Sequence, residues 1–310
     1  MYDFILGNLK LGNWQKGITT AASWAWGVSV IVGIQVFQQK GIEAFAIWAA
    51  ANSLTLALLG WLFTRVQHGT LKLAAVVPAW SRPLYEAVTY VIQFFSVLVN
   101  ITAIKTAFSM LGADWAWLPF SMLIAAGVIA WGFGHTVKGN IIKYAAWMAL
   151  LLFVLCSGDH FTIPHSAGQD IGWALYGALI LFCAPVLDQQ MWQRRVAFGD
   201  SGAKPFTLAA VLFALYMILV GLVAATCGNG VAVAIIILLV ASSTLASALS
   251  AVSCYYKEVL RARLGMGTVF TAAVACMVFD LSVIQLWTLY GSLRIPFALF
   301  AFWVILQQKA

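Results

Sequence analysis

Five hydroxyl side chains fall within nine positions of one apolar run: Ser242, Ser243, Thr244, Ser247 and Ser250. The run continues from Val231 to about Tyr256. Hydroxyls inside so apolar a run are costly unless something uses their oxygens. Ser243, Ser247, Ser250 and Cys254 follow i, i+4, i+7, i+11 spacing and share one helical face. That face suits a packed seam or a polar cavity rather than lipid. Ser243 and Thr244 are adjacent, so their oxygens diverge by about 100° and could flank a small cation docked at the helix. Close helix packing through small residues would leave the same pattern.

A second polar group surrounds Asp188, in Cys183-Ala-Pro-Val-Leu-Asp188-Gln-Gln-Met-Trp-Gln193-Arg-Arg195. The carboxylate lies about 9 Å of helical rise from the end of its apolar run. At that depth it is a functional candidate, either a proton carrier or a gate residue paired with Arg194 or Arg195. Gln189 and Gln193 flank it as further gate or coupling candidates. Gln93 and Asn100, seven apart, share a face of another apolar run and address either a solute or a neighbouring helix. Arg82 and Glu86 have the i, i+4 spacing of a pair. Asp159, His160 and His165 match no strong metal-site spacing. No phosphate loop, nucleophile elbow or HExxH motif occurs, so an enzyme is not expected. The five cysteines, Cys156, Cys183, Cys227, Cys254 and Cys276, lie in or beside apolar runs without metal spacing and are expected to be inert.

The elements that must position these residues are membrane helices. Of 310 residues 63% are hydrophobic and only 9% charged, with 14 tryptophans, which defines an integral membrane protein. The first apolar run begins near Ile18 without a small-residue cleavage site and is expected to be a retained span. Ten spans are predicted, at roughly 18–38, 43–63, 84–109, 115–134, 141–157, 170–193, 206–226, 231–256, 267–284 and 290–307.

With the N-terminus cytoplasmic, 14 of the 17 basic residues fall on one side. They are Lys10, Lys16, Arg65, Lys72, Arg82, Lys138, Lys143, Arg194, Arg195, Lys204, Lys257, Arg261, Arg263 and Lys309. Lys40 and Arg294 fall in or near outer loops, and Lys105 snorkels from the outer end of span three. The net charge of +7 thus orients the chain, with both termini cytoplasmic, and does not signal nucleic-acid binding. Ten spans divide into two fives that enter the membrane from opposite sides. A cytoplasmic segment, 1–17, precedes repeats at 18–157 and 170–308 within one transmembrane domain. Gly27 and Ala184-Pro185 fall in the first span of each repeat, where discontinuous helices build midplane sites.

Three stretches together resemble the sodium:solute symporter family, which has the leucine-transporter-type five-plus-five fold. Ser242-Ser-Thr-Leu-Ala-Ser247, continued by Tyr255-Tyr-Lys-Glu258, is similar to that family's Ser-Thr-x-x-Ser signature on span eight. Asp188 to Ala197 is similar to its glutamine- and arginine-bearing segment closing span six, and Ala22 to Gly33 to its span one. The resemblance implies an all-α membrane protein whose spans one and six are discontinuous; members of that family usually carry further helices before and after the core, and this chain departs from them as an expected core-only version. It implies a sodium ion held by the hydroxyls of Ser243 and Thr244 and by carbonyls near Val240, Ser23 and Trp26. Trp24, Gly27, Ser29, Gln93, Asn100 and Phe182 are the candidate solute-lining residues. The expected function is sodium-coupled symport of a small polar organic solute by alternating access, in a bacterial-type inner or plasma membrane. Proton coupling through Asp188, or solute sensing without transport, are the alternatives. Beyond solute and lipid bilayer, a homo-oligomer or an accessory membrane subunit stays open.

Overall fold

The computed structural model describes residues 10–158, 161–199, 203–226, 230–252, 258–279 and 281–308. Asp159, His160, Cys227, Cys254, Tyr255, Tyr256, Lys257 and Lys309, named above, lie outside them. The described chain is all-helical: α1 Asn13–Trp24, α2 Gly27–Phe63, α3 Arg82–Met110, α4 Trp117–Cys156 and α5 Gly168–Cys183, then α6 Gln189–Ala197, α7 Lys204–Ala225, α8 Gly230–Val252, α9 Glu258–Val278 and α10 Val283–Gln307. Six stretches are long and apolar enough to cross a membrane: α2, residues 79–110, α4, α7, α8 and α10. Two of them, α2 and α4, fold back on themselves: α4 contains two crossings, and α2 contains the second half of span one followed by span two.

The fold-back in α2 occurs at Gly41, whose φ of 86° and ψ of 171° suit only glycine. A Cβ there would also strike the backbone of His165 and Ser166. The first amides after the turn bond outside their own helix, Ile42 N to Pro164 O and Ala44 N to Ser166 Oγ, so the new helix start is satisfied. Contacts with α7 show the reversal. Going out, Gly17 meets Leu208, Gly33 meets Val220, and Gln38 donates to Ala224 O. Coming back, Phe45 meets Gly221 and Gly60 meets Phe206. Gly132, with φ 68° and ψ −168°, does the same for α4. Phe120 packs on Phe108 and Ile129 on Gly265 before the turn; Trp147 packs on Tyr216 and Gly158 against Thr226 after it.

Spans one and two are therefore α1 with the first leg of α2, and its second leg. Spans four and five are the legs of α4, and α5 with α6 makes span six. The first and sixth spans run antiparallel. Lys16 Nζ donates to Phe198 O on the face where α1 begins, called proximal below, and Lys40 pairs with Asp170 at 3.1 Å on the opposite, distal face. The alternation continues to α10, which passes Trp48 near its start and Tyr85 beside Phe297, with Gln308 donating to Val76 O on the proximal face. These are two inverted five-helix repeats, as the pattern of spans predicts. Exposed Leu54, Leu123, Ile142, Leu152, Leu215, Ile218 and Leu299 give the bundle an apolar exterior suited to hydrocarbon.

Several charges lie elsewhere than expected. Span nine ends at Val278 and α10 starts at Val283, where Ser282 Oγ caps the helix and Gln285 Oε1 accepts from Ser282 N. Arg294 is consequently in mid-helix and 1% exposed, not in an outer loop. Arg194 and Arg195 are buried as well, and Lys138 and Lys143 belong to the second leg of α4. Glu86 pairs with Lys72 across the 64–81 segment at 3.8 Å, not with Arg82.

Candidate functional site

Span one is interrupted at Ala25 and Trp26, beside the expected Gly27. Trp26 N turns back to Trp24 O at 2.9 Å, and Gly27 N goes to Asn100 Oδ1 on α3 at 3.3 Å. Those two amides would otherwise reach Ala22 O and Ser23 O, four residues back, so both carbonyls lose their helical donors. The indole of Trp24 fixes the bend from outside by donating to Asn52 O and Oδ1, at 3.0 and 2.9 Å. Gly27 lets the break approach its neighbours. A Cβ there would lie 2.7 Å from Ala241 Cβ and 2.8 Å from Ala103 Cβ. Gly27 is thus a packing residue between α3 and α8 rather than a cavity wall.

Against this break lies the hydroxyl stripe of α8. Thr244 Oγ1 donates to Ala25 O at 3.0 Å and approaches Val240 O at 3.4 Å. Ser243 Oγ donates to Asn140 Oδ1 on span five at 2.6 Å. The oxygen of span one that meets Thr244 is Ala25 O, one position before Trp26, whose own carbonyl accepts from Ser29 N at 2.7 Å. Ser23 remains beside the break, buried, with its hydroxyl turned to Thr20 O. Lower on the stripe, Ser247 Oγ receives Asn140 Nδ2 at 3.1 Å and Arg194 Nη2 at 3.0 Å, while Ser250 Oγ receives Gln193 Nε2 at 3.2 Å. The stripe faces polar partners along its length.

Span six is interrupted from Ala184 to Asp188. Pro185 has no N–H, so Leu181 O lacks its usual donor and takes Thr55 Oγ1 at 2.9 Å and Ala184 N at 3.2 Å. Val186 O is taken by the Trp192 indole at 2.8 Å. Asp188 caps α6, accepting from Gln190 N at 3.0 Å, and also accepts Gln93 Nε2 from α3 at 2.9 Å. It forms no ion pair with Arg194 or Arg195; the α6 N-terminus and Gln93 serve the carboxylate instead. Arg195 donates to Val66 O, Gln67 O and Thr70 O, and Gln189 to Leu71 O, which fastens α6 to the 64–81 segment. Arg194 lies over the Phe133 ring and bonds α8. Of the gate candidates, Gln189, Gln193 and Arg194 tie the proximal half of span six in place, and Asp188 belongs to the break itself.

Between the two breaks is a small cavity of about 20 Å³, space for one water-sized group. It is lined by Trp24, Trp26, Val28, Ser29, Trp48, Asn52, Leu181, Ala184, Trp287, Tyr290 and Arg294. Of the solute-lining candidates Trp24 and Ser29 are present, and Trp26 joins them. Gln93 and Asn100 do not line it: they hold the breaks of spans six and one. Phe182 is packed outside, since the Leu181 and Ala184 side of its turn faces inward. The contributions of spans two and ten (Trp48, Asn52, Trp287, Tyr290, Arg294) are absent from the sequence candidates. Asn52 inside an apolar span was the available signal. Arg294 was hidden because a charge two residues before Pro296 resembles a helix end.

No family model matches the chain, and no curated protein matches it. Among solved structures it is similar to a Na+-coupled sialic acid symporter in a substrate-bound outward-open state, with 13% identity and a TM-score of 0.59. The match covers 99% of this chain and 76% of that one. Two broken helices crossing at a polar centre, in two inverted five-helix repeats, define the class: this is an integral membrane protein with the leucine-transporter-type fold. The structural neighbour is a transporter and not an enzyme.

Proposed function

We propose that the protein is a secondary transporter that carries a small organic solute together with sodium by alternating access. The observation behind this is the meeting of Thr244 Oγ1 with Ala25 O, next to the released carbonyls of Ala22 and Ser23. Sodium is a hard cation that needs several oxygens. The hydroxyls of Ser243 and Thr244 and the carbonyls of Val240, Ser23 and Ala25 would supply them without a buried countercharge. A bound ion would replace the Thr244 to Ala25 hydrogen bond, both oxygens turning toward it. At 100 mV each net charge moved contributes about 2.3 kcal/mol, roughly fifty-fold accumulation. The fold's likeness to a Na+-coupled symporter supports the same reading. A cavity of about 20 Å³ is too small for an organic solute, so the solute enters only when the bundle opens.

Replacing either hydroxyl by alanine should weaken apparent sodium affinity by about five- to 150-fold, the equivalent of about 1–3 kcal/mol for one buried polar partner. Ser250→Ala should leave it unchanged, since Ser250 serves Gln193. The readout is sodium-dependent thermal stabilisation and uptake, with potassium as the replacement ion. If Ser243→Ala and Thr244→Ala bind sodium like wild type, the stripe is a packing seam. If wild type ignores sodium altogether, buried Asp188 becomes the coupling site and protons the driving ion.

The proximal face is proposed to be cytoplasmic, because Lys16, Arg65, Lys72, Arg82 and Lys204 gather there. Single cysteines at Gln67 and Gln169, both exposed on opposite faces, test it with an impermeant reagent in intact cells. Only the Gln169 position should label; labelling of the Gln67 position alone would invert the orientation.

A further inference from the structure

The central cavity holds hydrogen-bond donors without acceptors. Trp26 Nε1, Trp48 Nε1, Arg294 Nε and Arg294 Nη1 are all buried and make no hydrogen bond among the described residues. The Tyr290 hydroxyl, whose polar neighbours are Ser96 and Arg294, makes no hydrogen bond of good geometry, and the Asn52 side-chain oxygen receives Trp24. Leaving buried donors unpaired is costly, and a guanidinium most of all, so this concentration at one cavity calls for an incoming acceptor.

The charges say the same. Among the described residues the buried charged side chains are Arg194, Arg195 and Arg294 against Asp188 alone. Arg194 and Arg195 donate to hydroxyl and carbonyl oxygens. Arg294 instead lies 3.8 Å from the centroid of the Tyr290 ring and 5.9 Å from that of Trp26, attracted by Asp188 but beyond ion-pair distance of it. Ring faces steady a guanidinium but leave its N–H edge available.

We infer that Arg294 is the recognition site for the carboxylate of a small monocarboxylic acid, with the indole nitrogens of Trp26 and Trp48 as auxiliary donors. The body of the acid would lie against the indole and phenol rings, so a flat or apolar body fits better than a polyol. An amino acid fits less well, because its ammonium would meet the same donors. This assignment rests on the transporter reading for its purpose, but binding can be measured without transport or sodium.

The test uses the full chain in lipid nanodiscs, reading quenching of tryptophan fluorescence. Benzoate and phenylacetate are each compared with their carboxamides, and phenylalanine and sialic acid are included. The acids should bind about 10- to 100-fold more tightly than the amides, the range for a charge-assisted bidentate contact. Arg294→Gln should abolish that preference, and Arg294→Lys should restore part of it, since lysine keeps the charge but not the fork. The wild-type comparison of acid with amide needs no variant and stands even if Arg294→Gln does not fold. Amides that match their acids, or a folded Arg294→Gln that keeps the preference, overturn the assignment. Tighter binding of phenylalanine or sialic acid than of the aryl acids overturns the solute class. Sodium-dependent stabilisation without any acid reports on the transporter reading alone, so the two failures are distinguishable.

Discussion

The two helix breaks share a builder but offer opposite chemistry. Both are held by α3: Asn100 receives Gly27 N at the break in span one, and Gln93 donates to Asp188 at the break in span six. These residues are seven apart, two turns, so one helix face addresses both interruptions. At span one the bend releases carbonyl oxygens toward α8 and has no charge of its own. At span six the loose groups are consumed locally, by Thr55, Trp192 and the Asp188 cap. On the span-six side the amide oxygens of Gln93 and Gln190 stay unpartnered among the described residues, while the unpartnered donors at the cavity come from Arg294 of span ten and from the indoles of Trp26 and Trp48. A break that spends no charge on closing itself leaves oxygens for a cation. One that is capped by a carboxylate is a fixed joint.

The largest expected effect tests that joint. Asp188→Ala removes the cap of α6 and the one buried carboxylate among three buried arginines. It leaves Gln190 N and Gln93 Nε2 without their acceptor, about 1–3 kcal/mol for each buried donor left unpaired. Asp188→Asn keeps an oxygen for Gln190 N and should lose only about 1–2 kcal/mol, the share of weakened hydrogen bonds. Denaturant unfolding in detergent measures both. Equal losses would mean that charge and not capping holds the joint. A loss below about 1 kcal/mol for Asp188→Ala would end the view of span six as rigid.

The spans were legible because membrane helices need long apolar runs, and ten runs with basic residues alternating between sides leave little freedom. The breaks were legible too: Pro185 cannot donate, and Gly27 allows the close approach its surroundings need. Ser243 and Thr244 stood out because hydroxyls in an apolar run need partners. What escaped is what depends on rotation about a helix axis. Gln93, Asn100 and Phe182 are on helices that pass the centre, but composition does not say which way each points. Arg294 and the start of α10 were misplaced together. A guanidinium stacked on Tyr290 and Trp26 needs no loop, and charge alone marked it as one.

The comparison sharpens most through the two α3 residues, whose substitutions should look alike in stability and differ in function. Asn100→Ala strips the acceptor from Gly27 N; Gln93→Ala strips one donor from Asp188. Gln93→Ala loses one buried hydrogen bond; Asn100→Ala loses that to Gly27 N and its own from Nδ2 to Ser96 O, an oxygen that the α3 ladder still serves, so each should shift unfolding by about 1–3 kcal/mol. Asp188 keeps Gln190 N as a partner after Gln93→Ala, so span six stays capped and sodium affinity should stay within about twofold, below 0.5 kcal/mol. Gly27 N has no such substitute within the break. It can regain a partner only by turning back toward Ser23 O, rewinding the helix and withdrawing an oxygen from the proposed ion site. Asn100→Ala should therefore lower sodium affinity by about tenfold, equivalent to 1.4 kcal/mol, while sparing aryl-acid binding to Arg294. If Gln93→Ala weakens sodium as much as Asn100→Ala does, the breaks act as one coupled unit. The division between an oxygen-offering span one and a fixed span six then fails.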